Sequence, residues 1–457
     1  MSISREIARF TLALRYEAIP EAAVRQAKRF LLDSVGCALA ALNRQDMQAA
    51  YRYIEQLGGA EQASIIGYGT KTNMPNATLM NSLLIRALDY NDIYWKQDPA
   101  HPSDLIPAAL APAEYRGVSG KELIVGVVIA YELEMRMCHA ADPGVREVGW
   151  HHASLTQFVS PLVAGRMLDL SEDQLVAAVG IGGASHFTLG GVVAGHLTNM
   201  KNMADPLAVE AGVRAALLAA QGYTGPEEVF EGKEGLFEVL SNVQWDPEAI
   251  LDGLGERFLI TECAFKAFPT EALTHQPITA TLELVHEHRI DPRKVKEVLV
   301  ETTTRGADIL SDPSKYRPTT KETADHSLPY CIAVAIAKGN VLPSDFEEES
   351  LKDPLAWKLL PKIKVVANPK IDALFPKVKR AIVTITTNDG RSYRKQEDHA
   401  KGEPERPLSD EELLAKFRAN AQDSIPERQQ EELIQATLAL EKFSNIRDYM
   451  PLLMRKR

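Results

Sequence analysis

From Glu21 to about Gly222 apolar residues recur at spacings of three and four, the repeat of a helix. Residues 22–42 carry the pattern plainly, with Arg25, Lys28 and Arg29 on the other face. The same spacing predicts helices over 76–88 and 107–115. Residues 121–138 and 161–168 are apolar nearly all round, which predicts buried positions inside a bundle. Ser171-Glu-Asp-Gln174 has the form of a capping box, and the helical repeat resumes over 204–221. No strand-like alternation is visible in this region.

After about Phe268 the period changes. Residues 295–303, VKEVLVETT, alternate apolar and polar positions with β-branched enrichment, as a half-buried strand does. Residues 362–367 read the same way, and 381–387 and 392–396 flank Asn388-Asp389-Gly390, a hairpin signal. Helical patterns over 275–288 and 328–338 lie among these strands, and the chain turns helical again from Ser409. The pattern therefore predicts a mostly α protein with a large all-helical domain and a smaller α+β lid domain. The expected boundaries are 1–267 for the helical domain, completed by 406–457, and 268–405 for the lid. Gly402-Glu-Pro-Glu405 is the expected hinge, and 457 residues suit two domains.

Composition narrows the partners. Hydrophobic residues make up 45% and charged residues 25%, as in ordinary globular proteins. The formal charge of −11, from 51 basic and 62 acidic residues without a basic block, argues against nucleic acid. A few buried cations can still dominate one pocket and favour a small anion. Cys37, Cys138, Cys263 and Cys331 are widely spaced without any C-x-x-C, so no zinc or iron–sulfur site is expected and reduced thiols are. The N-terminus lacks the apolar core of a secretory signal, and no segment approaches a membrane span. A cytoplasmic protein with no membrane partner is expected.

Five clusters carry candidate chemistry. The first, ALDYNDIYWKQDPAHPSDLIPAAL from Ala87 to Leu110, sets Asp89, Asp92, Tyr94, Trp95, His101 and Ser103 between two apolar helices. Charged and aromatic side chains in that setting line a cleft, and the prolines around His101 stiffen its backbone. The second is Gly149-Trp-His-His-Ala-Ser154; adjacent histidines on a helix point about 100° apart, so His151 and His152 are not expected to share a ligand. The third is the glycine-rich run from Gly180 to Lys201. It matches no dinucleotide or phosphate loop, so its small residues are expected to allow close packing, with Lys201 a buried cation or a snorkelling one. The fourth, ECAFKAFPTEALTH from Glu262 to His275, wedges Lys266 between Phe265 and Phe268 at the domain junction. The fifth, Ala324 to Tyr330, opens a helix and contains His326. Cations, neutral bases and a phenol without a nucleophile pair or a metal set suit proton abstraction beside a carboxylate. Cations would stabilise the charge that develops, and a second group would protonate a leaving hydroxyl.

These motifs together resemble the MmgE/PrpD family, which includes 2-methylcitrate dehydratase, cis-aconitate decarboxylase and iminodisuccinate epimerase. The resemblance runs from ARFTLALRYEAIPEAAVRQAKRFLLDSVGCALA through LDYNDIYW, HPSD, Met200-Lys-Asn202 and FKAFPTEALTH to DHSLPYCIAVAI. It implies a helical domain under an α+β lid with the site between them, neither metal nor organic cofactor, and a homodimer. By the same resemblance His101, His151 or His152, Lys201, Lys266 and Tyr330 would be catalytic. Asp89, Asp92, Ser103, His275 and His326 would bind substrate. The DYND and HPSD motifs and GYTGPEEVFEGKEGLFEVL are most similar to the 2-methylcitrate dehydratase branch. The implied reaction is dehydration of 2-methylcitrate, with cis-aconitate decarboxylation or iminodisuccinate epimerisation on the same scaffold as alternatives. A non-catalytic metabolite-binding role is the alternative of another class. One departure stands out: where many relatives carry Pro-Cys-Cys-Arg beyond the Lys266 position, this chain has Thr270, Glu271 and Ala272. That removes a bidentate carboxylate clamp.

Overall fold

The computed structural model describes residues 2–194 and 196–455; Gly195 of the glycine-rich run and the last two residues of the 406–457 segment lie outside them. The helical body is built on Glu21–Ala41, Met74–Arg86, Ile106–Arg116, Gly120–His139, Ala153–Leu168, Glu172–Gly183 and Met200–Ala220. Gly120–His139 and Ala153–Leu168 are buried along almost their whole length, as their uniform apolarity requires. Ser171 and Gln174 exchange both bonds of a capping box. Gly183 sits where any Cβ would collide with the Phe158 ring, so the small residues of this run do serve close helix packing. No described helix is long and apolar enough to cross a membrane.

The smaller unit holds a four-stranded sheet ordered Ser392–Glu397, Ala381–Thr387, Val295–Thr302, Ile363–Ala367. The first three strands are antiparallel, and Ile363–Ala367 runs parallel to Val295–Thr302. Helices His275–His288 and Leu328–Lys338 cover the sheet and share its core. The chain then returns to the body, where Asp410–Ala421 and Glu427–Leu438 pack on Glu21–Ala41. Lys416 of the returning helix reaches Asp33 at 2.8 Å and donates to the carbonyls of Tyr90 and Lys266, fastening both ends of the site's backbone.

Two features differ from the sequence reading. The body contains short strands: Asp92–Trp95 pairs antiparallel with Pro99–Ala100 and with Ala264–Phe265. Four residues or fewer are too short to show alternation. The 402–405 segment is also not a free linker. Phe265 donates its N–H to the Gly402 carbonyl at 3.0 Å, Gln276 donates to Glu403 at 2.6 Å, and the Gly402 backbone (φ 99°) passes too close to Phe265 for a side chain.

Candidate functional site

A cavity of about 750 Å³ opens between the body and the α+β unit. Its floor is organised by Asp89, which follows the Met74–Arg86 helix in a left-handed conformation (φ 50°). The carboxylate, 2% exposed as a residue, is gripped by three cations. Arg86 lies at 2.5 Å, Lys266 at 2.7 Å and Lys201 at 3.1 Å. Burial opposes ionisation, but Lys201, Lys266 and Arg86 outweigh it and hold Asp89 well below the usual carboxylate range. Burial pulls the Lys201 ammonium down to about 8 despite Asp89. Lys201 is thus the buried cation of the two readings, not a snorkelling one.

The short three-stranded sheet is what brings these groups together. Ala264–Phe265 pairs with Asp92–Trp95, so Lys266 emerges beside Asn91, whose carbonyl accepts its N–H at 3.3 Å. Two residues separated by 177 positions in the chain, Asp89 and Lys266, thereby become neighbours.

His101 lies on the same wall. Its Nδ1 is 2.7 Å from the Asp92 carbonyl oxygen, which can only accept, so Nδ1 carries the proton and Nε2 keeps its lone pair. Burial, reinforced by Arg86, Lys266 and His152, holds His101 well below the usual histidine range, leaving a neutral base. The Asp92 side chain does not line the cavity. It accepts from the Ser103 N–H at 3.0 Å and the Ser103 hydroxyl at 2.6 Å, and burial raises it to about 6. Asp92 and Ser103 therefore brace the backbone behind His101 instead of facing a ligand.

The two histidines of the second cluster do converge. They precede the Ala153–Leu168 helix, with His152 at its N-cap, so the angular separation of a helix does not apply. Their rings lie 3.9 Å apart and both line the cavity. His151 Nδ1 accepts from the Ala153 N–H at 3.2 Å, while His152 Nε2 faces Asp205 at 3.3 Å. Asp205 stands one turn beyond Lys201 on the Met200–Ala220 helix. Against the pull of burial, His152, His151 and Arg86 hold it well below the usual range. His151, His152 and Asp205 come within 4.8 Å of one another, close enough to grip a cation. Arg86, 3.7 Å from Asp205, sets a competing positive charge there.

His326 also lines the cavity; its Nδ1 is bound to Asp325 at 2.6 Å, and burial, aided by Lys201, lowers it to about 4. Two other candidates lie elsewhere. His275 lines a second cavity of about 610 Å³ that shares Ile93, Trp95 and Ala272 with the first; burial, then Lys266, lowers it to about 3. Tyr330 is 1% exposed inside the α+β core, where its hydroxyl donates to the Asp345 carbonyl at 2.8 Å, so it does not reach the cavity. The helix it begins is closed by the Ser327 hydroxyl, which takes the Tyr330 N–H.

The cavity also holds groups that the sequence does not mark as site residues: Arg86, Arg146, Arg305, Lys315 and Arg317, together with Glu271 of the 270–272 stretch. Arg86 had a signal, an arginine in an otherwise apolar helix three residues before Asp89, and so had Asp205, at i+4 from Lys201. Arg146 and Arg305 come from unrelated segments and had none.

Comparison with known proteins agrees with this architecture. Residues 5–248 match the MmgE/PrpD N-terminal domain and residues 268–442 the MmgE/PrpD C-terminal domain. The chain is 26% identical to a cis-aconitate decarboxylase-like protein of Aspergillus oryzae over 99% of this chain and 97% of the relative. It is 24% identical to the cis-aconitate decarboxylase of Aspergillus terreus, covering 99% and 96%. It is also 24% identical to the 2-methylcitrate dehydratase of Cupriavidus necator, covering 93% and 91%. Such similar identities do not separate the two activities. With both family domains in order along one chain, and a cavity at their junction, this protein belongs to the MmgE/PrpD family.

Proposed function

We propose that the protein is a lyase that removes water from a small polycarboxylate, 2-methylcitrate or a close analogue. The observation that carries the reading is the buried Asp89–Lys201–Lys266 cluster beside a neutral His101. In this reading Lys201 and Lys266 hold the carboxylate next to the reacting carbon. His101 Nε2 takes the α-proton, and the carbanion's charge spreads onto that carboxylate, where the cations stabilise it. The carbon–oxygen bond then breaks and His152, backed by Asp205, delivers a proton to the departing hydroxyl, leaving an alkene and water. His152 Nδ1 is buried without a hydrogen-bond partner among the described residues, which suits a substrate oxygen.

Decarboxylation of cis-aconitate is the second reading, favoured by the names of the fungal relatives. The charge of the cavity weighs against it. Loss of carbon dioxide is helped where the departing carboxylate sits in apolar surroundings, whereas Arg86, Arg146, Lys201, Lys266 and Arg305 stabilise every carboxylate in the ground state. Elimination of water keeps all the carboxylates and uses those cations in the transition state.

Purified, chelator-treated protein offered 2-methylcitrate, citrate and cis-aconitate separately tests the reading. Ultraviolet absorbance from a new conjugated double bond with 2-methylcitrate, without gas, is the expected result. Carbon dioxide from cis-aconitate would move the protein to the decarboxylases, and silence on all three would remove the proposal.

The Lys201 ammonium gives a pH signature. It must be charged to hold a carboxylate, so kcat/KM falls on the alkaline side with an apparent pKa of about 8. A bound carboxylate favours the charged form, so the kcat limb lies higher. Lys201→Arg, always charged, removes the limb near 8 from whatever activity remains. An unmoved limb in that variant would assign it to another group.

A further inference from the structure

The cations of the cavity differ in how far the protein itself neutralises them. Lys201 and Lys266 share Asp89, and Arg86 faces Asp89, Asp104 and Asp205. Arg305 is paired with Glu147 and lies over Trp95, 5.5 Å from the ring centre. Arg146, Lys315 and Arg317 line the cavity without such a partner among the described residues; Arg317 is exposed and Lys315 ends in a point charge, which leaves Arg146 as the half-buried fork. Its main-chain N–H is fixed by Asp98 at 3.3 Å, which with the adjacent Val145 N–H holds the Val145–Val148 turn in place. Its guanidinium lines the cavity and makes no ion pair within 4 Å and no side-chain hydrogen bond among the described residues.

Of the carboxylates that act on it, Glu271 comes first, ahead of Asp98 and Asp205; Asp98 is taken up by the Val145 and Arg146 main-chain N–H groups, and Glu271 is otherwise engaged. It accepts the Leu273 N–H at 2.6 Å, and burial raises its pKa, which weakens its charge. A fork of five donors half-buried beside a cavity, with its backbone pinned and its head unmatched, is built for a ligand oxygen pair.

We propose that Arg146 is the carboxylate clamp of this site and selects acids bearing a carboxylate beyond the one held by Lys201 and Lys266. The inference rests on the polycarboxylate reading above and adds to it the residue that counts the carboxylates. The size of the cavity fits: about 750 Å³ lies high in the range of roughly 300–1,000 Å³ that accommodates ligands larger than a short diacid.

The test uses two inert probes, tricarballylate with three carboxylates and butyrate with one, titrated calorimetrically into the wild type, Arg146→Met and Arg146→Lys. Arg146→Met should weaken tricarballylate by about 10- to 100-fold, the range of a lost charge-assisted bond pair, and butyrate by less than about 3-fold. Arg146→Lys keeps the charge but not the fork, and should fall between, again only for tricarballylate. It carries the test if the methionine variant does not fold by circular dichroism. Equal losses for both acids, or none, would overturn the clamp while leaving the polycarboxylate reading in place. A wild type that binds neither acid would overturn both.

Discussion

Asp89→Asn lowers the stability of the protein by about 3–5 kcal/mol at neutral pH, the usual consequence of removing one partner from a buried ion cluster. Lys201, Lys266 and Arg86 meet on this one carboxylate, and all four side chains are 3% exposed or less. Asparagine is the informative replacement, because Asp89 stands at φ 50° and asparagine tolerates that left-handed backbone. Asp89→Ala adds backbone strain and should be less stable still. The loss also depends on pH. Without Asp89 the two lysines lose charge more readily, so their folded-state pKa values fall further below the unfolded value of about 10.4. A lysine with a depressed folded pKa binds fewer protons folded than unfolded, so stability rises with pH between the two values. Lys201 stands at about 8 in the native protein and lower in the variant, so its share of the deficit shrinks as pH climbs towards about 8 and stays level above that, where both proteins gain alike. Urea denaturation across that range measures it; a loss below about 1 kcal/mol at neutral pH would mean that water, not Asp89, neutralises the lysines.

His101→Asn lowers kcat by about 10²- to 10⁴-fold, the range expected for loss of a general base, with KM changed little. The asparagine amide can donate to the Asp92 carbonyl as Nδ1–H does at 2.7 Å, so the loop keeps its brace while the Nε2 lone pair disappears. Proton exchange at the substrate α-carbon in deuterated water, followed by NMR, should disappear with turnover. If the variant still exchanges that proton at the native rate, the base is His151, His152 or Glu271 instead, all of which line the same cavity.

Much of the fold is legible in the chain because its longest elements repeat a simple period. His275–His288 and Leu328–Lys338 have the limits that the pattern predicts, and the hairpin turns at Asn388-Asp389-Gly390 with Gly390 at φ 86°. The strand Asp92–Trp95 is invisible at that level, since four residues give two turns of alternation at most and its partners are two residues each. The site shows the same division. Asp89, His101, Lys201 and Lys266 stand out as polar groups in apolar surroundings, where burial without a purpose is costly. Tyr330 and His275 stand out for the same reason, yet one is satisfied by a carbonyl in the α+β core and the other faces a different cavity. Local sequence registers that a polar group is buried, not which way it points.

The sequence by itself determined the helical body, the α+β unit set into it and the short motifs that hold the chemistry, because hydrophobic period and turn residues act over a few positions. Tertiary structure alone decided how those motifs meet. The pairing of Asp92–Trp95 with Ala264–Phe265 sets Lys266 on Asp89, and the turn before Ala153–Leu168 lets His151 and His152 share a wall. The Val145–Val148 turn, pinned by Asp98, presents Arg146 to the same space. Each of these depends on contacts between segments far apart in the chain, whose geometry no local period encodes.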